Sequence, residues 1–359
     1  MSSKLKAASA WAVPLLGLAA LGAGAVLPVD HVAVAALLFA ILLGAVLIGV
    51  HHAEVVAHRV GEPFGTLVLA LAITVIEASL IVSLMMAGEE STADLARNTL
   101  LATIMIICNG VVGLCLLLGA ARYSEQEFKV QGAGAALSVL IALAALTLVL
   151  PAFTTSTLDA TFSVPQLIFA GCASFALYAT FVFIQTVRHR DYFLPERGAT
   201  DEHAPPPTTQ RTLASFGLLV ACLVSVVGIA KMLAPVLEHA VAAAQAPHAV
   251  VGIGIALLVL LPETWAALRA ARANRLQTSM NLAYGSALAS IGLTIPVVVC
   301  ASIFLDLPLL LGVRPKELVL LALTFMVSTL TLSTGRTHVL QGVVHLVIFA
   351  AFLFLSFFP

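Results

Sequence analysis

Residues Phe64 to Gly88 read FGTLVLALAITVIEASLIVSLMMAG, and one ionisable side chain, Glu77, stands in the middle of an otherwise apolar run. Crossing the hydrocarbon core of a bilayer takes roughly 20 apolar residues, so this stretch is long enough to span. Glu77 comes thirteen residues after Phe64 and ten before Ala87, and no reasonable shift of the boundaries brings it to an interface. A carboxylate at that depth costs about 2.5 to 3.5 kcal/mol on insertion scales, and an ionisable residue so placed is functional by default. The bland alternative is a hydrogen-bonded acid that only holds two helices together.

The remainder of the 359-residue chain is built in the same way. It is 61% hydrophobic and only 10% charged, with a mean hydropathy of +1.08, whereas soluble chains carry about 25% charged residues. The expected fold class is therefore an all-α polytopic membrane protein, and a cytosolic enzyme is excluded. A net charge of -1 and 7% aromatic residues give no basic excess and no stacking platform, so nucleic acid is not an expected partner, whereas the lipid bilayer is. Cys108, Cys115, Cys172, Cys222 and Cys300 each sit in an apolar run without a C-x-x-C pair and read as small buried hydrophobes.

About eleven apolar windows can be placed: Trp11 to Leu27, His31 to Val56, Phe64 to Ala87, Thr99 to Ala120, Val130 to Pro151, Pro165 to Val187, Leu213 to Leu237, Val250 to Leu268, Met280 to Cys300, Leu318 to Leu332 and His338 to Phe358. The first follows Lys4 and Lys6 and resembles a signal peptide, but the polytopic body behind it favours a retained helix. The long polar connection RHRDYFLPERGATDEHAPPPTTQR, Arg188 to Arg211, contains Pro205, Pro206 and Pro207 and reads as a cytoplasmic linker. It divides the chain into an N-terminal helix over residues 1–30, a first five-helix repeat over 31–187, the linker over 188–211 and a second five-helix repeat over 212–359.

Lys and Arg at the span ends set the orientation. With a cytoplasmic N-terminus, 13 of the 17 basic residues fall on that side, among them Lys4, Lys6, Arg59, Arg122, Lys129 and Arg336, with the Arg188 to Arg211 linker and the Arg269, Arg272 and Arg275 group. Arg97, Lys231, Arg314 and Lys316 fall on the other. One five-helix block then starts from outside and the next from inside, so the two are expected to be inverted, an arrangement recurrent in secondary transporters with midplane sites.

The second block repeats the acid. In VVGIGIALLVLLPETWAALRAAR, Val250 to Arg272, Glu263 follows Pro262, which removes one backbone donor and frees the carbonyl of Leu258. Glu77 and Glu263 each occupy the second helix of their half, and equivalent positions of inverted halves are expected to meet at a central axis. The next helix of each half adds polar groups: Asn109 beside Gly110 in the first, and Ser286 and Ser290, one turn apart, in the second. Small residues such as Gly285 and Gly292 also have a plain packing reading. Glu54 and Glu238, each on the preceding helix, are possible relay or accessory acids, or simply interfacial ones.

The segments HHAEVVAHRVGEPFGTLVLALAITVIEASLI and LLPETWAALRAARANRLQTSMNLAYGSALASIGLTIPVV resemble the calcium/cation antiporter superfamily, most closely its bacterial ChaA-type calcium or sodium (potassium)/proton antiporter branch, and the likeness extends over essentially the whole chain. The resemblance implies that Glu77 and Glu263 bind the cation and the counter-transported protons alternately, that the GS motif of the second repeat falls on Gly285 and Ser286, and that the preceding acid of the first repeat is Glu54. It also implies residence in the bacterial inner membrane. This chain departs from the G-N-x-x-E pattern of vacuolar members, with Thr74 to Ile76 before Glu77 and Leu260 to Pro262 before Glu263, and has Ala289 where those members place Gln. Fewer amide oxygens favour sodium or potassium over calcium.

Two midplane carboxylates can be neutralised by two protons, two monovalent cations or one divalent cation, and the doubly charged empty state is unfavourable in a low-dielectric interior. Cation and proton then compete for the same oxygens, and exchange follows if the uncompensated form cannot reorient. Calcium takes six to eight oxygens at about 2.3 to 2.6 Å, to which Glu77, Glu263, Asn109 and Ser286 could contribute. The expectation is export of calcium or of sodium or potassium against protons by alternating access, with these ions as substrates and no cofactor. A cation channel is the alternative. An intramembrane metalloenzyme is another, because His51, Glu54 and His58 share a helical face beside His52, although the order is not H-E-x-x-H. Thr337, His338 and His345 read as structural. The oligomeric state is left open by the sequence.

Overall fold

The computed structural model describes residues 3–24, 29, 31–61, 64–87, 92–157, 160–193, 207–243, 247 and 249–358. These form eleven helices: α1 (Ser3–Ala23), α2 (Val32–Val60), α3 (Phe64–Ala87), α4 (Leu95–Tyr123), α5 (Val130–Ala152), α6 (Val164–Arg188), α7 (Thr209–Ala243), α8 (Ala249–Arg272), α9 (Leu276–Leu305), α10 (Pro315–Ser333) and α11 (Val339–Phe357). Ten are long and apolar enough to cross a bilayer. In α1 the described side chains begin at Ser9, and Ser9–Ala23 is a shorter apolar helix.

Several ends differ from the hydropathy windows. α7 begins at Thr209 and runs to Ala243, and α8 carries Arg269 and Arg272 within its last turn, where cations face the negative end of the helix dipole. The linker is correspondingly shorter on the described residues. Arg190–Tyr192 makes a 3-10 turn directly after α6, and Phe193 is buried against Phe181. The proline run at 205 and 206 lies outside the described residues.

The helices gather into two compact units that cut across the sequence halves. One comprises α1, α2, α3 and α7; the other comprises α4, α5, α6 and α8 to α11.

In the first unit α2 packs along α7 and α3, and α1 lies against both α2 and α7. Small residues let these helices approach. A Cβ added at Gly17 would meet Ser225, one at Gly228 would meet Leu21, and Gly49 sits against Cys222 and Ile76. Ala53, Ala72 and Leu219 form the buried centre. At one end, the Arg59 guanidinium donates to the Pro207 carbonyl and to the Thr209 hydroxyl, both at 3.2 Å, which ties the end of α2 to the start of α7.

In the second unit α4 is the innermost helix, with every residue from Leu95 to Val112 buried. It runs beside α8 and α11, while α9 packs against α5, α6 and α8. Gly113 approaches the Gly342 carbonyl and Gly342 the Leu117 amide so closely that a Cβ at either glycine would sit 3.2 or 2.6 Å from those backbone atoms. One end of the unit is fastened by a two-residue antiparallel pair, Gln126–Glu127 with Arg336–Thr337, and by Gln126 donating to Ala271 O and to the Asn274 side chain. Asn274 itself turns the chain from α8 into α9 with φ 56°, a left-handed conformation that Asn tolerates. The opposite end holds Asp94, Arg97, Arg314 and Glu317. Within this unit the basic residues Arg122, Lys129, Arg188, Arg272 and Arg336 therefore sit at one end, and Arg97, Arg314 and Lys316 at the other, in the partition that the charge count predicts.

Candidate functional site

Glu77 occupies the middle of α3 and is 1% exposed. Thr74, one turn earlier, is buried as well. Ile76 lies against Gly49, so the level of Glu77 in the first unit is the middle of α2. Glu54 stands nearer the end of α2 and on another face. The buried stripe of that helix is Val46, Val50, Ala53 and Ala57, and Glu54 lies about 100° from Ala53 at 3.6 residues per turn. Its side chain is 57% exposed, with Oε2 3.8 Å from His51 Nδ1. The structure thus turns Glu54 outward while Glu77 is enclosed. The side chain of Glu238 lies outside the described residues. His52 points inward and pairs through Nε2 with the Ala10 carbonyl at 2.9 Å, while His51, whose ring centroid is 5.7 Å from that of His52, and His58 are exposed. No group of three or more His, Cys, Asp or Glu side chains suited to a metal ion occurs among the described residues.

In the second unit Glu263 follows Pro262 inside a helix that continues unbroken to Arg272. The residue is partly buried and both carboxylate oxygens are out of solvent. Its depth can be read from packing. α8 and α4 run in the same direction: Gly252 abuts Asn98 and Thr99, and twenty residues on, the Arg272 carbonyl accepts from the Tyr123 hydroxyl. Glu263 comes eleven residues after Gly252 and Asn109 eleven after Asn98, so the two share one level. α8 and α9 form an antiparallel hairpin about Asn274, eleven residues after Glu263 and twelve before Ser286, which brings Ser286 to the same level. Ser286 is partly buried and Ser290, one turn further along, is 2% exposed.

At that level α4 is irregular. Ile106–Val111 forms a π-turn, with five-residue hydrogen-bond spacing, and Asn109 and Gly110 lie within it. Such single wide turns inside α-helices are frequent at functional sites. Both ends of the Asn109 amide are engaged: Nδ2 donates to the Thr324 hydroxyl at 2.9 Å, and Oδ1 pairs with His345 Nδ1 at 3.0 Å. The sequence offered Asn109 as a cation ligand; in the structure its side chain joins α4 to α10 and α11. Nothing in the sequence near Asn109 announces these partners.

The far end of the unit carries a charged cluster that the sequence reading treated only as topology. Arg97, 4% exposed, pairs with Asp94 at 2.6 Å, donates to the Gly312 carbonyl, and lies 3.9 Å from Glu317. Arg314 reaches the same Asp94 at 3.2 Å.

The family model described as sodium/calcium exchanger protein matches this chain twice, over residues 30–187 and 214–358. A Sinorhizobium fredii protein named as an ionic transporter, y4hA, is 48% identical over 367 residues and covers 100% of both chains. The sodium-potassium/proton antiporter ChaA of Escherichia coli is 37% identical over 86% of this chain and 84% of its own. Among solved structures, native YfkE superposes with a TM-score of 0.70 at 18% identity, covering 96% of this chain and 99% of that one. The H+/Ca2+ exchanger CAX gives 0.72 at 14% identity, over 98% and 88%. These two likenesses establish a shared fold. With the family model matching both halves and more than four-fifths of the residues, the chain belongs to the sodium/calcium exchanger family.

Proposed function

We propose that this protein is a cation/proton antiporter of the cytoplasmic membrane, exchanging sodium or potassium, and calcium less readily, for protons, with Glu77 and Glu263 as the carboxylates that carry cation and proton in alternation. The observation that carries the reading is that each of the two stretches matched by the family model contains one mid-span glutamate with its carboxylate enclosed. A charge in that setting needs compensation. Two carboxylates accept two protons, two alkali cations or one calcium ion, so cation and proton exclude one another and flux in one direction drives the other.

The preference for alkali cations rests on two features. ChaA, described as a sodium-potassium/proton antiporter, is 37% identical, whereas YfkE, described as a Ca2+/H+ antiporter, and the H+/Ca2+ exchanger CAX are at 18% and 14%. The oxygen supply agrees: with the Asn109 amide engaged by Thr324 and His345, the second unit offers Glu263, Ser286 and backbone carbonyls at one level. That is a thin shell for an ion that takes six to eight oxygens. The ends carrying Arg59 and Arg211 in the first unit and Arg122, Lys129, Arg188, Arg272 and Arg336 in the second are assigned to the cytoplasm, with the N-terminus on the same side. Residues 31–187 and 212–359 are assigned as the two inverted repeats.

Proton-gradient-driven sodium, potassium and calcium flux in proteoliposomes tests the reading. Glu77→Gln and Glu263→Gln are each expected to reduce exchange to the level of protein-free vesicles, and wild-type flux in either variant would remove that carboxylate from the site.

A further inference from the structure

We infer that His345 is a positioning residue of the cation site: bonded to Asn109 on one side and to Thr331 on the other, it holds the π-turn of α4 in the shape presented at the level of Glu263. The inference rests on the proposed role of Glu263 in cation binding.

The hydrogen-bond accounting leaves one arrangement. The Thr324 hydroxyl donates to the Leu320 carbonyl at 2.7 Å, so toward Asn109 it can only accept. Its partner at 2.9 Å is therefore the Asn109 NH2, and the amide orientation is fixed. Asn109 Oδ1 then faces His345 Nδ1 at 3.0 Å, which requires a hydrogen on Nδ1. In the neutral ring Nε2 is left as an acceptor, and the Thr331 hydroxyl lies 3.1 Å from it. Thr324, Asn109 and His345 are 0% exposed and Thr331 3%. Three helices thus meet in one chain of polar contacts closed off from bulk solvent.

The packing keeps that chain short. A Cβ at Gly113 would lie 3.0 Å from the His345 Cβ, and one at Gly110 would lie 3.3 Å from the Phe349 ring. α11 is therefore pressed against α4 along the π-turn itself. A π-turn holds one residue more than a regular turn and displaces its carbonyls from the ordinary ladder. Freed from His345, the Asn109 amide can rotate and the turn can relax toward regular α-helix, which changes the carbonyls offered at the depth of Glu263. The imidazole would thus act on the cation through the backbone of another helix.

A purely structural histidine and a positioning one differ in which kinetic constant moves. Partners that orient a ligand set typically change affinity by 10- to 100-fold, so in proteoliposomes of matched protein content His345→Leu is expected to raise the KM for sodium by about tenfold while Vmax stays within about twofold. His345→Asn places an amide NH2 where Nδ1 stood and is expected to recover most of the affinity. Thr331→Val leaves the Asn109 bond in place and removes only the hydroxyl partner of Nε2, so an intermediate KM is expected. An unchanged KM in both His345→Leu and Thr331→Val, or an Asn variant no better than the Leu variant, would overturn the inference. If the Leu variant does not insert, the Asn and Thr331→Val pair decides: wild-type KM in Thr331→Val with a raised KM in the Asn variant overturns it. Glu263→Gln is assayed in parallel. Its retention of flux would sink the site reading, whereas a dead Glu263→Gln with a wild-type KM in His345→Leu sinks the role of His345 alone.

Discussion

The two units are held together by different physics. In the first, helices meet through glycines, alanines and aliphatic side chains, with His52 bonded to Ala10 and Arg59 to Pro207 and Thr209. In the second, polar contacts fix the unit at three levels: the Asp94, Arg97 and Glu317 cluster at one end, Asn109 with Thr324 and His345 in the middle, and Gln126 with Asn274 and Ala271 at the other end. Apolar packing in lipid has no hydrophobic driving force between helices and tolerates small slides, whereas each directional bond selects one register. The carboxylate of the second unit is therefore set in a frame whose register is selected by directional bonds.

Ion pairing should show the contrast most strongly. Arg97→Ala removes the buried guanidinium between Asp94 and Glu317, leaving Asp94 to exposed Arg314 and Glu317 to the Arg314 amide, and loss of one partner from a buried pair costs about 3 to 5 kcal/mol. Arg59→Ala removes exposed contacts in the first unit and should cost under about 1 kcal/mol. Thermal unfolding in detergent compares them, and equal shifts would erase the distinction. Glycine replacement is the next test. Gly342→Ala drives a methyl to within 2.6 Å of the Leu117 amide nitrogen, and such overpacking costs about 1 to 3 kcal/mol. Gly49→Ala meets Cys222 at 3.4 Å and Ile76 at 3.5 Å, ordinary contact distances, so a near-neutral effect is expected. The smallest effect is dynamic. Amide exchange in α4 should be slower than in α2, since local opening is rarest where buried contacts are densest; faster exchange in α4 would invert the comparison.

Much of the frame was legible before any coordinates. Apolar windows place the helices because a bilayer demands length and saturation of the backbone, and mid-span Glu77 and Glu263 stand out because charge there is so unfavourable. Helical phase was less accessible. Glu54 shares a helix with buried Ala53 and Ala57, and the small-residue stripe Val46, Val50, Ala53 and Ala57 would have turned it outward had that stripe been read first. The role of Asn109 was not legible at all. Its partners lie 215 and 236 residues further along the chain, and the π-turn that presents it follows from those long-range bonds and from the close approach of α11. The burial of Arg97 escaped for the same reason, since Gly312 lies in the distant connection before α10 and Glu317 in the first turn of that helix.

The sequence distance between Asn109 and its partners has a consequence for synthesis. A ribosome adding about 5 to 20 residues per second needs roughly ten to fifty seconds to travel from Asn109 to His345. During that interval α4 has been made but neither hydroxyl nor imidazole yet exists to receive its amide, so the nascent helix must be sheltered or hydrated until the C-terminal pair arrives. The eleventh helix is thus the one that completes the middle of the fourth.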